Sequence, residues 1–248
     1  LFVVGFLFKI KNQFLFATLT SLINQARNKI DFLFQNTKSN HKRQKTKVKM
    51  NIFALHKNPR KSARWHADKH VVKMLLESVQ MLYTSHWVLA YPLLLKQKSP
   101  LTVSRFQKTL STPPLLDLYN APPQISNPEQ KGYRPVHVHH PCTKWVSSSL
   151  GNYMWLCHLA LHLAEEFRFR WPNSGAHSCE AHVKWLIEHP PIKLKINKSP
   201  LTPFAEAMPD EYKKSDPIGS YRAFYKGSKT DRGITNRYTT RQRPHWLS

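Results

Sequence analysis

The fold turns on one stretch, His66-Ala-Asp-Lys-His-Val-Val-Lys-Met-Leu-Leu-Glu77. Its spacing predicts a helix. On that helix His66, His70, Lys73 and Glu77 share one row, at steps of four, three and four residues. Val72, Leu75, Leu76, Val79 and Leu82 then form the apolar side. Burial alone does not call for two histidines, a lysine and a glutamate in a row. This row is therefore the first candidate for a reactive or ligand-binding face.

Working outward, the helix is expected to run from Ser62, as N-cap, to Ala90 after a turn at Pro59. Asn51 to Leu55 reads as a short strand-like or extended piece. A second long helix is predicted over Thr143–Arg170, with Thr143 as cap and Pro172 as stop, and a third over Cys179–His189. Leu201 to Tyr212 reads as a turn and a short helix. Asp216-Pro217 opens a helix that continues to Lys226. Seven glycines against eighteen prolines argue against long sheets with glycine turns. The expected fold class is all-α: one compact helical domain over 50–248, with long Pro-rich loops and a short N-terminal extended segment.

Two regions differ from this pattern. Residues 1–49 end in a basic, polar run from Lys38 to Lys49, and the first methionine is Met50. They are expected to be a poorly ordered or non-native extension, and the folded protein to begin at Met50. Leu1 to Leu7 is too short to span a membrane, and no clear signal-peptide pattern follows. Residues 91–135 carry eight prolines and read as either a functional or a disordered loop, with room for a helix over 101–110.

Charge narrows the partner. Lys and Arg total 38 against 14 Asp and Glu, a net +24, which favours a polyanion, most simply nucleic acid. Three widely spaced cysteines (Cys142, Cys157, Cys179) without a CxxC pair fit a reducing, intracellular compartment. There is no GxSxG, no Walker-type loop and no dinucleotide fingerprint, so α/β-hydrolase and P-loop NTPase readings fall away and no cofactor is expected.

The chemistry of the row has three readings. His66 and His70 at i, i+4 suit a metal, with Glu77, His139 or His140 completing a set, but HExxH is absent. Lys69 and Lys73 among histidines suit an amine nucleophile, because clustered positive charge lowers a lysine pKa. The same lysines also suit plain phosphate contacts. Tyr133 and Arg134, in a loop between Gly132 and Pro135, are candidates for holding an unstacked nucleotide, as is Tyr221-Arg222. Trp145 reads as core.

Several blocks carry a resemblance. They are Met50-Asn-Ile-Phe53, His66-x-Asp-Lys-His-Val-Val-Lys-Met74, Glu77-Ser-x-Gln-Met81, His140-Pro-Cys-Thr-Lys-Trp145, Asn152-Tyr153, Leu201-Thr-Pro-Phe204, Ala207-Met-Pro-Asp-Glu-Tyr212 and Tyr221-Arg222. Together they resemble small uncharacterised proteins of phages and large DNA viruses, over nearly all of 50–246. That resemblance implies membership and no activity. The order of a short N-terminal strand, a basic helix, a Gly-Tyr-Arg and His-Pro loop, and a helix with Trp145, His158, His162 and Glu165/Glu166 is similar to pyrimidine-dimer DNA glycosylases. Those are compact all-α proteins that nick DNA at damaged pyrimidines.

The second resemblance implies that an N-terminal α-amine attacks C1′, that a glutamate on the first long helix assists, and that arginine and histidine groups grip a kinked backbone. Carried onto this chain, Met50 or Asn51 supplies the amine, and His66, Lys69 and Lys73 hold phosphates. Asp68 and Glu77 are the nearest helical carboxylates, and His70 stands where the glutamate is expected. The chain departs from the pattern in having 49 residues before Met50, which leave no free amine there, so a lysine nucleophile, a lost activity or another reaction also fit.

The expected function is DNA or nucleotide-base processing, as a glycosylase/AP lyase acting on damaged or modified pyrimidines. The alternatives are a non-enzymatic viral nucleic-acid-binding protein and a histidine-based metal-dependent nuclease or hydrolase. The expected catalytic residues are His70, Lys73, Glu77 and Lys69. The expected nucleic-acid contacts are His66, Tyr133, Arg134, His139, His140, Lys144 and Arg222, with no metal and no membrane partner.

Overall fold

Between Asn58 and Ala90 the chain forms two helices where the spacing predicts one. The computed structural model describes residues 50–92, 116–230 and 236–247, all within the unit Lys49–Ser248. Helix α1 (Pro59–Arg64) starts at Asn58, whose side chain accepts from the Lys61 N–H, with Pro59 in the first turn. Ser62, the expected cap, lies inside α1, where its hydroxyl accepts from the Leu55 N–H at 3.1 Å. The chain then leaves helical geometry. Ala67 is extended, and its N–H donates to the Tyr225 hydroxyl at 2.7 Å. Helix α2 (Asp68–Ala90) restarts with Asp68 in its first turn, where a negative charge complements the helix dipole.

The restart fixes which way α2 faces. Val71, Met74, Leu75, Val79, Met81 and Leu82 are buried. Val72 and Leu76, expected inside, are 39% and 36% exposed. Each lies one residue, about 100°, past an inward position.

A short helix α3 (Leu116–Tyr119) leads to an antiparallel hairpin of β1 (Pro123–Gln124) and β2 (Asn127–Lys131), pairing Pro123 with Lys131. This is the one sheet among the described residues. Gly132 follows at φ +59, and a Cβ there would lie 2.6 Å from the Tyr83 ring.

The expected Thr143–Arg170 helix is also two: α4 (Pro141–Val146) and α5 (Leu150–Arg170). The His140 side chain caps α4 by accepting from the Cys142 N–H, and Thr143 is buried within that helix. Three serines make the break. Ser147 and Ser148 donate to the Thr143 and Trp145 carbonyls, and Ser149 accepts from the Asn152 N–H to cap α5.

Helix α5 is the centre of the fold, since α1, α2 and α6 (Glu180–Glu188) all pack on it. After α7 (Ile192–Asn197), the Leu201–Phe204 block crosses the start of α5. Asn152 Nδ2 donates to Thr202 Oγ1 at 2.8 Å, and Asn152 Oδ1 accepts from the Thr202 N–H at 2.8 Å. The backbones approach so closely that a Cβ on Gly151 would lie 2.2 Å from Leu201 N. Helix α8 (Pro217–Thr230) opens as the sequence predicts, with the Asp216 carboxylate accepting from the Gly219 N–H.

The protein is mainly helical, as its sequence predicts. No helix among the described residues is long and apolar enough to cross a membrane. The expected extension over 1–49 and the expected helix over 101–110 lie outside the described residues.

Candidate active site

The segment Met50–Leu55 is almost wholly buried, and its polar backbone needs partners there. The Asn51 N–H donates to Glu77 Oε2 at 3.1 Å. Asn51 Oδ1 accepts from the Ile52 and Phe53 N–H groups at 2.8 and 3.2 Å, and Nδ2 donates to the Ala207 carbonyl at 3.1 Å. This folds the chain tightly enough to leave Phe53 at φ +38. A bulky residue in that region costs about 1–3 kcal/mol, and its surroundings must hold it there. The Phe53 ring stacks on His70 (4.7 Å, 15°) and meets Tyr225 edge-on at 5.2 Å.

Glu77 sits at the base of the site. Its Oε1 lies 3.3 Å from Lys73 Nζ, one helical turn away on α2. The Glu77 side chain is 11% exposed and that of Lys73 43%, so the carboxyl is sunk beneath an amine that reaches solvent. Burial pushes the Glu77 carboxyl above its ordinary value. The Asn51 amide, Lys73 and His137 oppose that shift without cancelling it. The pair thus joins an accessible amine to a carboxyl with raised proton affinity, the parts that nucleophilic and general acid–base catalysis need. Cys142 lies nearby, with Sγ 3.7 Å from the Tyr221 hydroxyl, but burial pushes its thiol up to about 12 and keeps it protonated.

The structure gathers part of the expected site. His70, Lys73 and Glu77 share a face of α2, and Lys69 is exposed one turn before Lys73. His66 falls in the break between α1 and α2, is fully buried, and donates through Nδ1 to the Ser62 carbonyl at 2.7 Å. A residue without exposed surface does not contact a phosphate, so His66 leaves the expected binding wall. Arg222 also has another role. Its Nε donates to the Leu55 carbonyl at 3.0 Å, and its guanidinium lies 5.0 and 5.5 Å from the Trp65 and Trp246 rings. It ties the C-terminal segment to the start of the fold.

Tyr133 is half-buried near the far end of α2. Its hydroxyl lies 3.7 Å from Cys179 Sγ, and its ring packs on Tyr83 and His182. Tyr133, expected to hold a nucleotide, is thus tied into the packing around Tyr83 and His182. Arg134, His139 and Lys144 are exposed, and His140 is the α4 cap. Among the described residues no three His, Cys, Asp or Glu side chains come together as a ligand set, so the expected alternative built on His66, His70, His139 and His140 finds no such cluster.

Asn51, Phe53 and His137 are the site residues that sequence reasoning did not assign to these roles. The sequence points to Asn51 only as a source of the amine. Compared with protein-family models, curated proteins and solved structures, the chain has no match in any of the three.

Proposed function

We propose that the protein processes DNA as a glycosylase/AP lyase, with Lys73 as the amine and Glu77 as its proton partner. The observation that carries this reading is the 3.3 Å approach of Lys73 Nζ to a buried carboxyl of raised pKa. The net charge of +24 supports nucleic acid as the substrate. Glu77 takes a proton from Lys73, the neutral amine attacks C1′ of the deoxyribose, and the base leaves with the bonding pair and takes the proton that the attacking nitrogen gives up. Glu77 then gives the proton it took to the ring oxygen. As the C1′–O4′ bond breaks, O4′ becomes a hydroxyl and the nitrogen lone pair forms the protonated C1′=N Schiff base on Lys73. Abstraction of a C2′ proton expels the 3′ phosphate and nicks the strand.

A second reading follows from the 3.1 Å hydrogen bond between Asn51 N and Glu77 Oε2. In a chain beginning at Asn51, that nitrogen is a free amine on the same carboxyl, as the pyrimidine-dimer glycosylase resemblance implies. Under either reading the protein belongs with DNA repair or DNA modification. Three buried free thiols suit a reducing, intracellular setting.

Borohydride trapping on abasic-site DNA tests both. A trapped complex lost in Lys73→Ala supports Lys73 as the amine. A complex that survives Lys73→Ala and maps to residue 51 supports the second reading. DNA binding without any trapped complex favours the non-enzymatic binder.

A further inference from the structure

Away from Glu77, a cavity of about 370 Å³ opens between α1, the last turns of α5 and the C-terminal segment. Glu166 is buried at this cavity. It accepts from Arg241 through both oxygens, at 2.9 and 2.7 Å, and from Arg170 at 3.2 Å. Two guanidinium groups already satisfy that carboxylate, and Glu165 is engaged by His162 at 2.9 Å. Arg64 Nε lies 4.0 Å from Glu166, beyond hydrogen-bond range. Arg60, one turn earlier on α1, has no carboxylate partner among the described residues. The lining arginines therefore exceed what the carboxylates need. The Arg241 guanidinium also lies 3.8 Å over the half-exposed Phe169 ring.

We propose that this cavity binds a phosphate group, held by Arg60, Arg64 and Arg241, with Glu166 and Phe169 positioning Arg241. Convergent guanidinium forks match the several oxygens of a phosphate better than the two of a carboxylate. From the basic C-terminal stretch Arg237–Arg243 the cavity takes Arg241, which the Glu77 site does not use. Thr239 anchors that stretch by donating its N–H and hydroxyl to Asp68, at 3.0 and 2.8 Å, and so brings Arg241 to Glu166. None of the residues lining this cavity belongs to the Lys73–Glu77 site, so the two are separate sites. The phosphate comes either from a DNA strand or from a small phosphorylated ligand. Only the first source rests on the glycosylase reading.

The test compares the wild-type chain with an Arg60→Ala/Arg64→Ala variant, which leaves the Glu166–Arg170–Arg241 contacts intact; circular dichroism checks its fold. Binding of inorganic phosphate is measured by calorimetry, and binding of abasic-site duplex by anisotropy across a salt series. With a DNA source, the variant loses about tenfold in DNA affinity and its log–log salt slope falls by roughly 1–2. With a small-ligand source, inorganic phosphate binding is lost while DNA affinity stays. Unchanged DNA affinity, salt slope and phosphate binding in a folded variant overturn the proposal. Borohydride trapping at saturating DNA reports on the Glu77 site, so the two readings fail separately.

Discussion

Arg170→Met removes the side chain that ties the break after α1 to the end of α5. That side chain is 0% exposed. It donates to the His66 carbonyl at 2.8 Å, Asp68 Oδ1 at 3.0 Å, the Arg64 carbonyl at 3.1 Å and Glu166 Oε2 at 3.2 Å. Methionine fills much of the volume, so the loss is mainly polar. Breaking a buried pair by removing one partner costs about 3–5 kcal/mol. Asp68 retains Thr239 and Glu166 retains Arg241, which limits the carboxylate share. The buried His66 carbonyl and the part-buried Arg64 carbonyl lose their donor, at about 1–3 kcal/mol for the buried one. The expected total is about 3–5 kcal/mol, read as a lower urea midpoint at unchanged slope. In a domain of this size that is a fall in Tm of roughly 6–20 °C. A Glu166→Gln/Arg170→Met cycle should show coupling of about 0.5–3 kcal/mol. A loss below about 1 kcal/mol, with additive single variants, refutes the proposed linking role of Arg170.

Three further outcomes follow from particular contacts. Glu77 has a folded-state pKa raised above the ordinary 4.5, so its contribution to stability is full below that value and is lost as pH rises through the folded-state value. Glu77→Gln should flatten the fall in Tm over that window, and an unaltered Tm–pH curve contradicts the burial argument. Gly151→Ala drives a methyl group into the Leu201 backbone and should destabilise by about 1–3 kcal/mol in urea melts; a neutral result contradicts the close approach. Cys142, Cys157 and Cys179 are free and buried, with thiols pushed up by burial. Ellman's reagent should therefore find no fast-reacting thiol in the native protein and three after denaturation, and a fast native thiol contradicts that burial.

The helices were legible where proline and an apolar repeat agree, as at Asp216-Pro217 and before Pro172. The breaks were not. The apolar pattern runs on through Trp65–Ala67, and the break there is stabilised by the Tyr225 hydroxyl, 158 residues away. Glu77 and Lys73 stood out because charges interrupt an otherwise apolar helix. Their partner Asn51 did not, since a backbone N–H leaves no mark in the sequence. Arg222 looked like a DNA contact because it is an arginine beside a tyrosine. Folding instead places it between two tryptophans that are 181 positions apart. Arg170 gave one signal, its i, i+4 spacing from Glu166, which is equally usual on a solvated helix face.

Single-turnover borohydride trapping on abasic-site DNA, with the adduct mapped by mass spectrometry, bears most directly on Lys73 and Glu77. The expected result is an adduct on the Lys73 peptide, absent in Lys73→Ala and formed about 10²–10⁴-fold more slowly in Glu77→Gln. A protein that binds the DNA and forms no adduct, or that carries its adduct on another amine, contradicts Lys73 as the nucleophile.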